Sequence, residues 1–216
     1  MSLFRIDASI MPATSQSRAL ADLVEAEWSA EHPDSIVTRR DLGTQPLPAT
    51  TWRDVVTSGG LQDADLSPAQ REARALATTV ADELIDADAL LLAIPLYNWG
   101  VAAHVKSWYD VAYTDPRISG GALKASPPCW PPSSAATTTR ARPRKAGTTP
   151  PRGCAASSKR SGVPICSSCS ASSPWSESTP AMDQFIEQAA EIKAAAEQLA
   201  AEHGRALAAK RHAPAL

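Results

Sequence analysis

Two short stretches carry the side chains best suited to hold a ligand. The first, Ser9-Ile10-Met11-Pro12-Ala13-Thr14-Ser15-Gln16-Ser17, is rich in hydroxyls. It lies between Leu3–Ala8, which reads as a strand, and Leu20, Leu23, Val24 and Trp28, which recur at helical spacing. A helix mouth offers N–H groups that have no acceptor within the helix, together with the positive end of the dipole, so an anion such as phosphate suits it. Ordinary N-capping by one serine explains the same residues equally well. The stretch has neither GxGxxG nor GK[ST], which disfavours a dinucleotide site of the Rossmann type and a P-loop. The second stretch is Leu96-Tyr97-Asn98-Trp99-Gly100. It follows the continuous apolar run Ala89–Ile94 and Pro95, and precedes Val101, Val105, Trp108 and Ala112 at helical spacing. That order places it at the carboxyl end of a central strand, where open α/β sheets take ligands. No Ser-His-Asp arrangement can be defended. His32, His104, His203 and His212 read as solvated surface residues, and Trp108 and Tyr109 as packing aromatics.

The elements that must position these loops follow in order. Ser35–Thr38 is a second strand running into Arg39-Arg40-Asp41-Leu42-Gly43 and a loop punctuated by proline through Pro48. Ala49–Ala64 has no regular period. Ser67-Pro68-Ala69-Gln70 is a helix start, with Ser67 as N-cap, Pro68 in the first turn and Gln70 closing a capping box, and the helix should run to about Asp86. Strand, helix, strand, helix, strand, helix is the alternation of a doubly wound parallel sheet with helices on both faces. Ala181–Lys210 is a long amphipathic helix, with Phe185, Ile186, Ala189, Ile192, Ala196, Leu199 and Leu207 on one stripe, suited to pack on that sheet as the last crossover.

With 216 residues, a single α/β domain is expected. A net charge of -2 argues against nucleic acid or an anionic membrane as the main partner. No segment has the apolar length of a membrane span, and Met1–Met11 does not read as a secretory signal, so a cytoplasmic setting is expected.

One segment breaks the pattern. Between Ala125 and Ser178 the only aliphatic residues beyond alanine are Val163 and Ile165, the only acid is Glu177, and Ser, Pro, Thr, Arg and Cys dominate. Nothing in it suits a buried strand. A disordered basic insertion is one reading. A zinc site from Cys166 and Cys169 with Cys154 and Cys129 is another, although the outer spacings match no common finger and no His lies nearby. A shifted reading frame explains more. A codon taking the third base of Cys129 and the first two of Trp130 must encode leucine. The shifted run from Lys124 can read glycine, lysine, proline, alanine, valine, leucine, alanine, and Ser173–Ser178 likewise yields an apolar strand. One base lost near Lys124 and one gained near Thr179 would suffice. Sequencing of a transcript decides it.

With these pieces in view, the chain resembles the FMN-dependent NADH:quinone oxidoreductases, the azoreductase group of flavodoxin-like proteins. The matching stretches are Ser9–Ser17, Thr38–Leu42 with Pro46-Leu47-Pro48, Leu66–Gln70, and Pro95–Trp99 with the helix to Asp110. The resemblance implies a flavodoxin-like fold in which Ser9, Ser15, Gln16 and Ser17 hold the FMN phosphate. By the same resemblance Leu96, Tyr97, Asn98 and Trp99 contact the isoalloxazine ring through backbone groups, the Asn98 amide and flat apolar surface. It implies transfer of two electrons from NADH to a quinone or azo compound in a ping-pong cycle, with no catalytic side chain and no metal, in a homodimer. Departures from the group are a missing second flavin loop and missing fourth and fifth sheet strands in Ala125–Ser178, and a short Tyr113–Arg117 stretch where a pocket lid belongs. Competing readings are an electron carrier or flavin reductase, and an inactive remnant whose basic segment binds an acidic partner or nucleic acid.

Overall fold

The computed structural model describes residues 1–98, 100–120 and 186–209. The anomalous segment, with its cysteines and the missing strands and loop expected there, lies outside the described residues, as do Trp99 and His212. Among the described residues the sheet has three parallel strands, β1 (Ser2–Asp7), β2 (Ile36–Asp41) and β3 (Ala89–Ala93), in the order β2-β1-β3. Leu3 pairs with Val37 on one side and Ala89 on the other, so β1 is central among them. Helices α1 (Gln16–Glu31), α2 (Thr51–Thr57), α3 (Pro68–Ile85), α4 (Ala103–Tyr113), the single turn α5 (Pro116–Ser119) and α6 (Ile186–Ala208) complete the described chain. A short hairpin, β4 (Leu96–Tyr97) with β5 (Gly100–Val101), follows β3.

Alternation along the strands builds two cores. Phe4, Ile6, Leu90, Leu92 and Ile94 face α3 and α4, with Val80, Val105, Trp108 and Val111. Leu3, Ala89, Leu91 and Ala93 face α1 and α6, with Leu20, Val24, Trp28 and Leu207. Both faces of β3 are therefore covered, which is why Ala89–Ile94 reads as an unbroken apolar run. α3 starts as the sequence dictates, with a capping box in which Ser67 Oγ accepts from Gln70 N and Gln70 Oε1 accepts from Ser67 N. Trp108 is buried, whereas Tyr109 is half exposed and stacks on Tyr113 with ring centroids 5.8 Å apart.

Two local expectations, for Val101 and for the extent of β2, are corrected, and one stretch without an assignment gains an element. Ala49–Ala64, which lacks a period, contains α2. Its buried side is polar, with Thr51, Asp54 and the following Ser58, while Trp52 and Val56 face outward, so an apolar-period search cannot find it. Arg74 fastens the end of α2 through Ser58 Oγ at 2.9 Å. Val101 belongs to β5, paired with Leu96, and not to the next helix, which starts at Ala103. β2 also runs through Arg39 and Arg40 to Asp41.

Small residues set the approach of α6 to α1. Ala196, Ala200 and Gly204 are buried at successive turns. A Cβ on Gly204 would lie 2.9 Å from the Val24 carbonyl oxygen and 2.8 Å from Glu27 Cβ. Gly204→Ala gains about 1 kcal/mol of helix propensity. Overpacking against fixed backbone costs about 1–3 kcal/mol. The variant should unfold at lower urea, and an unchanged midpoint would mean that the helices can separate freely.

Candidate functional site

β1, α1 and the β4–β5 hairpin bring the two sequence-marked loops together. Ser9 is buried just past the end of β1, and its Oγ accepts from Met11 N at 3.2 Å. Ser15 is the N-cap of α1, with Oγ accepting from Arg18 N at 3.2 Å and lying 3.1 Å from Ser17 Oγ. Ser17 is buried, and Gln16 opens the helix half-buried. The helix start therefore presents two hydroxyls and the N–H groups of Gln16 and Ser17, which have no acceptor within the helix. Capping and anion holding are thus compatible uses of the same turn.

Leu96 and Tyr97 are half-buried in β4. Asn98 is exposed at the hairpin turn with φ 49°, a left-handed conformation that asparagine tolerates better than most residues. The hairpin reaches the serine loop directly, because Tyr97 Oη accepts from Ile10 N at 3.1 Å and lies 3.5 Å from Ser9 Oγ. Seven of the eight sequence-marked residues are described, and the fold gathers them at one end of the sheet.

Sequence reasoning misses the supports. His104 is not a solvated surface residue: it is half-buried, and its Nε2 lies 2.8 Å from the Ala8 carbonyl oxygen. A carbonyl only accepts, so Nε2 carries the proton. His32 is likewise tied, Nε2 to the Ala208 carbonyl at 3.0 Å, with its ring 4.6 Å from Trp28. His203 is half-buried and also engaged. A spacing argument cannot see the His104 and His32 contacts, because the carbonyls they meet are distant in sequence.

Beneath the serine loop lies a charged network. Arg5 is buried and donates to Asp7 Oδ1 at 2.9 Å, Asp22 Oδ1 at 2.6 Å and Glu25 Oε2 at 3.0 Å. Arg18, three residues after the N-cap, donates to Asp41 Oδ2 at 2.7 Å. Burial works to lower the Arg5 pKa, but its hydrogen bonds to Asp7 and Asp22 outweigh burial and raise it. Burial works to raise the Glu25 pKa, and hydrogen bonds from Arg39 and Arg5 hold it below the usual range instead. Asp41 is also held low, Arg18 and Thr44 outweighing burial. The network fixes α1 on the sheet and keeps Arg18 committed to Asp41 at the mouth of the helix.

At the expected lid position, Asp115 caps α5 and pairs with Arg117, which also reaches Asp82 on α3 at 2.8 Å. This short stretch is tied down onto α3. Among the described residues there is no cluster able to hold a metal ion, and no helix long and apolar enough to cross a membrane.

A protein of Parafrankia sp. named FMN-dependent NADH:quinone oxidoreductase is 33% identical over 119 residues, covering 55% of this chain and 56% of the relative. A protein of the same name from Xanthobacter autotrophicus is 41% identical over 112 residues, covering 50% and 51%. The chain spans about half the length of the curated relatives it matches. Among solved structures, an azoreductase superposes with a TM-score of 0.68 at 18% identity, covering 95% of this chain and 100% of that one. The FMN complex of an FMN-dependent NADH-azoreductase from Bacillus anthracis gives 0.67 at 11% identity, covering 96% and 100%. These likenesses show the fold. The sequence profile of the flavodoxin-like fold matches residues 1–124, more than half of the chain, and the protein belongs to that family.

Proposed function

We propose that the chain is a cytoplasmic FMN-dependent oxidoreductase, a homodimer, passing two electrons from NADH to a quinone or azo compound. The observation that supports this reading is the junction of its two loops, Tyr97 Oη against Ile10 N at 3.1 Å, which brings the hydroxyl-rich turn against the β4–β5 hairpin. The names of the relatives, which match the first half of the chain, support it. The donor set fits FMN: Ser9, Ser15, Gln16 and Ser17 offer hydroxyls and N–H groups to a phosphate, and Leu96, Tyr97, Asn98 and Trp99 would border the ring. Bound FMN would supply the electron chemistry, accepting hydride from NADH and reducing the acceptor. The protein would bind the phosphate, hold the ring at the strand end and shield it from water. Trp52 and Val56 on α2 and the Tyr109–Tyr113 stack on α4 are half exposed, apolar groups of the kind that a second copy would cover.

The absorption spectrum of the full chain after addition of FMN and desalting tests the reading. Retained flavin absorbance that bleaches with NADH and returns with a quinone is the expected result. Retained flavin that NADH does not bleach would favour an electron carrier, and a colourless protein would overturn the FMN assignment.

A further inference from the structure

The serine loop is held by a residue that lies outside both loops. Ala8, the residue between β1 and Ser9, is fixed on two sides. Its N–H donates to the Ala93 carbonyl at 3.0 Å, and its carbonyl accepts from His104 Nε2 at 2.8 Å. His104 is the second residue of α4, the helix that directly follows the β4–β5 hairpin. A third side is closed by Gly43, whose N–H is held by Asp41 Oδ1 at 3.0 Å. A Cβ there would lie 2.0 Å from the Ser9 carbonyl oxygen and 2.6 Å from its carbon, so only glycine permits this approach. Beyond Ser9 the loop is open, with Ile10 and Met11 each 58% exposed.

We propose that His104 is a positioning residue that fixes the distance between the serine loop and the ring loop, with Gly43 as the backstop behind Ser9. The inference rests on the assignment of Ser9–Ser17 to the FMN phosphate. FMN engages both loops at once through one covalent ribityl chain, so a loop displaced or loosened relative to the ring loop holds the phosphate less well. Riboflavin has no phosphate and uses only the ring loop. His104 therefore contributes to FMN affinity, and not to riboflavin affinity, and the contribution needs a donor at the position of Nε2. A side chain of similar bulk without a donor leaves the Ala8 carbonyl without that partner and frees the start of the loop.

Fluorescence titration of the full chain with FMN and, separately, riboflavin tests this, using wild type, His104→Leu and His104→Gln. Wild type should prefer FMN. His104→Leu should weaken FMN about five- to tenfold, the effect of one lost hydrogen bond, with riboflavin unchanged. His104→Gln, which retains an amide donor, should recover FMN affinity. Equal losses for both flavins, no loss for either, or no recovery by glutamine would overturn the role of His104. Wild type without a preference for FMN would overturn the phosphate assignment itself, and the inference with it, before any variant is compared. Gly43→Ala supplies a second readout: its Cβ must displace the Ser9 carbonyl, so it too should narrow the preference for FMN, and an unchanged preference would overturn the backstop.

Discussion

Ser15→Asp should abolish FMN binding at micromolar flavin while leaving the flavin-free protein at least as stable as wild type. Ser15 Oγ caps α1 by accepting from Arg18 N. Aspartate caps as well as serine, and a carboxylate at a helix N-terminus gains about 0.3–1 kcal/mol from the dipole. A pure capping role therefore predicts no harm. A phosphate dianion at the same turn meets an added negative charge at about 4 Å, where each pair of unit charges costs about 4 kcal/mol at an effective dielectric constant near 20. Even after screening at physiological salt, a loss of at least about a hundredfold is expected. Flavin titration and urea unfolding of the same variant separate the two roles. FMN affinity equal to wild type would leave Ser15 as a cap alone.

Arg5→Met should destabilise the protein by about 3 kcal/mol, a large share of the 5–15 kcal/mol that holds a typical domain together. The Arg5 side chain is 3% exposed and bonds to Asp7, which is 6% exposed. Methionine fills most of the volume but leaves the Asp7 carboxylate, among the described residues, with the Arg18 Nε at 4.0 Å as its remaining cationic neighbour. The unpaired buried charge, more than lost packing, sets the cost. The double variant Arg5→Met with Asp7→Leu should recover part of the loss, which a pure packing defect would not. The pH profile provides a second check. Glu25 is held below its ordinary pKa, so it contributes stability that is fully present above the unfolded value and lost as pH falls through the lowered folded value. Removing Arg5 takes away one of its two arginine partners, so the acid limb of the stability curve should become shallower. Equal urea midpoints for wild type and variant at neutral pH would show that the network contributes nothing.

Legibility differed by element, for physical reasons. The buried strand β3, the capping box of α3 and the stripe of α6 announce themselves, because a covered strand needs an unbroken apolar run and a capped helix needs particular side chains at fixed offsets. The serine loop and the Tyr97-Asn98 turn were legible as positions at strand ends. α2 was not, because its polar residues are the buried ones and its Trp52 and Val56 face outward. His104 was not, since neighbours in sequence place it on a helix but its partner is a carbonyl ninety-six residues away. The Arg5 network was hidden for the same reason: an arginine in a strand looks solvated until the acids of α1 are folded over it.

By itself, then, the sequence determined the alternation of strands and helices and the motifs that carry the family resemblance, since these depend on residue type and local spacing, and that resemblance is what nominates the eight residues of the candidate site. Only the tertiary structure decided that Tyr97 meets Ile10, that Gly43 backs Ser9 and that His104 holds Ala8. Those contacts join segments far apart in the chain, and their geometry is set by how β1, β2 and β3 pair and by how α4 packs over them.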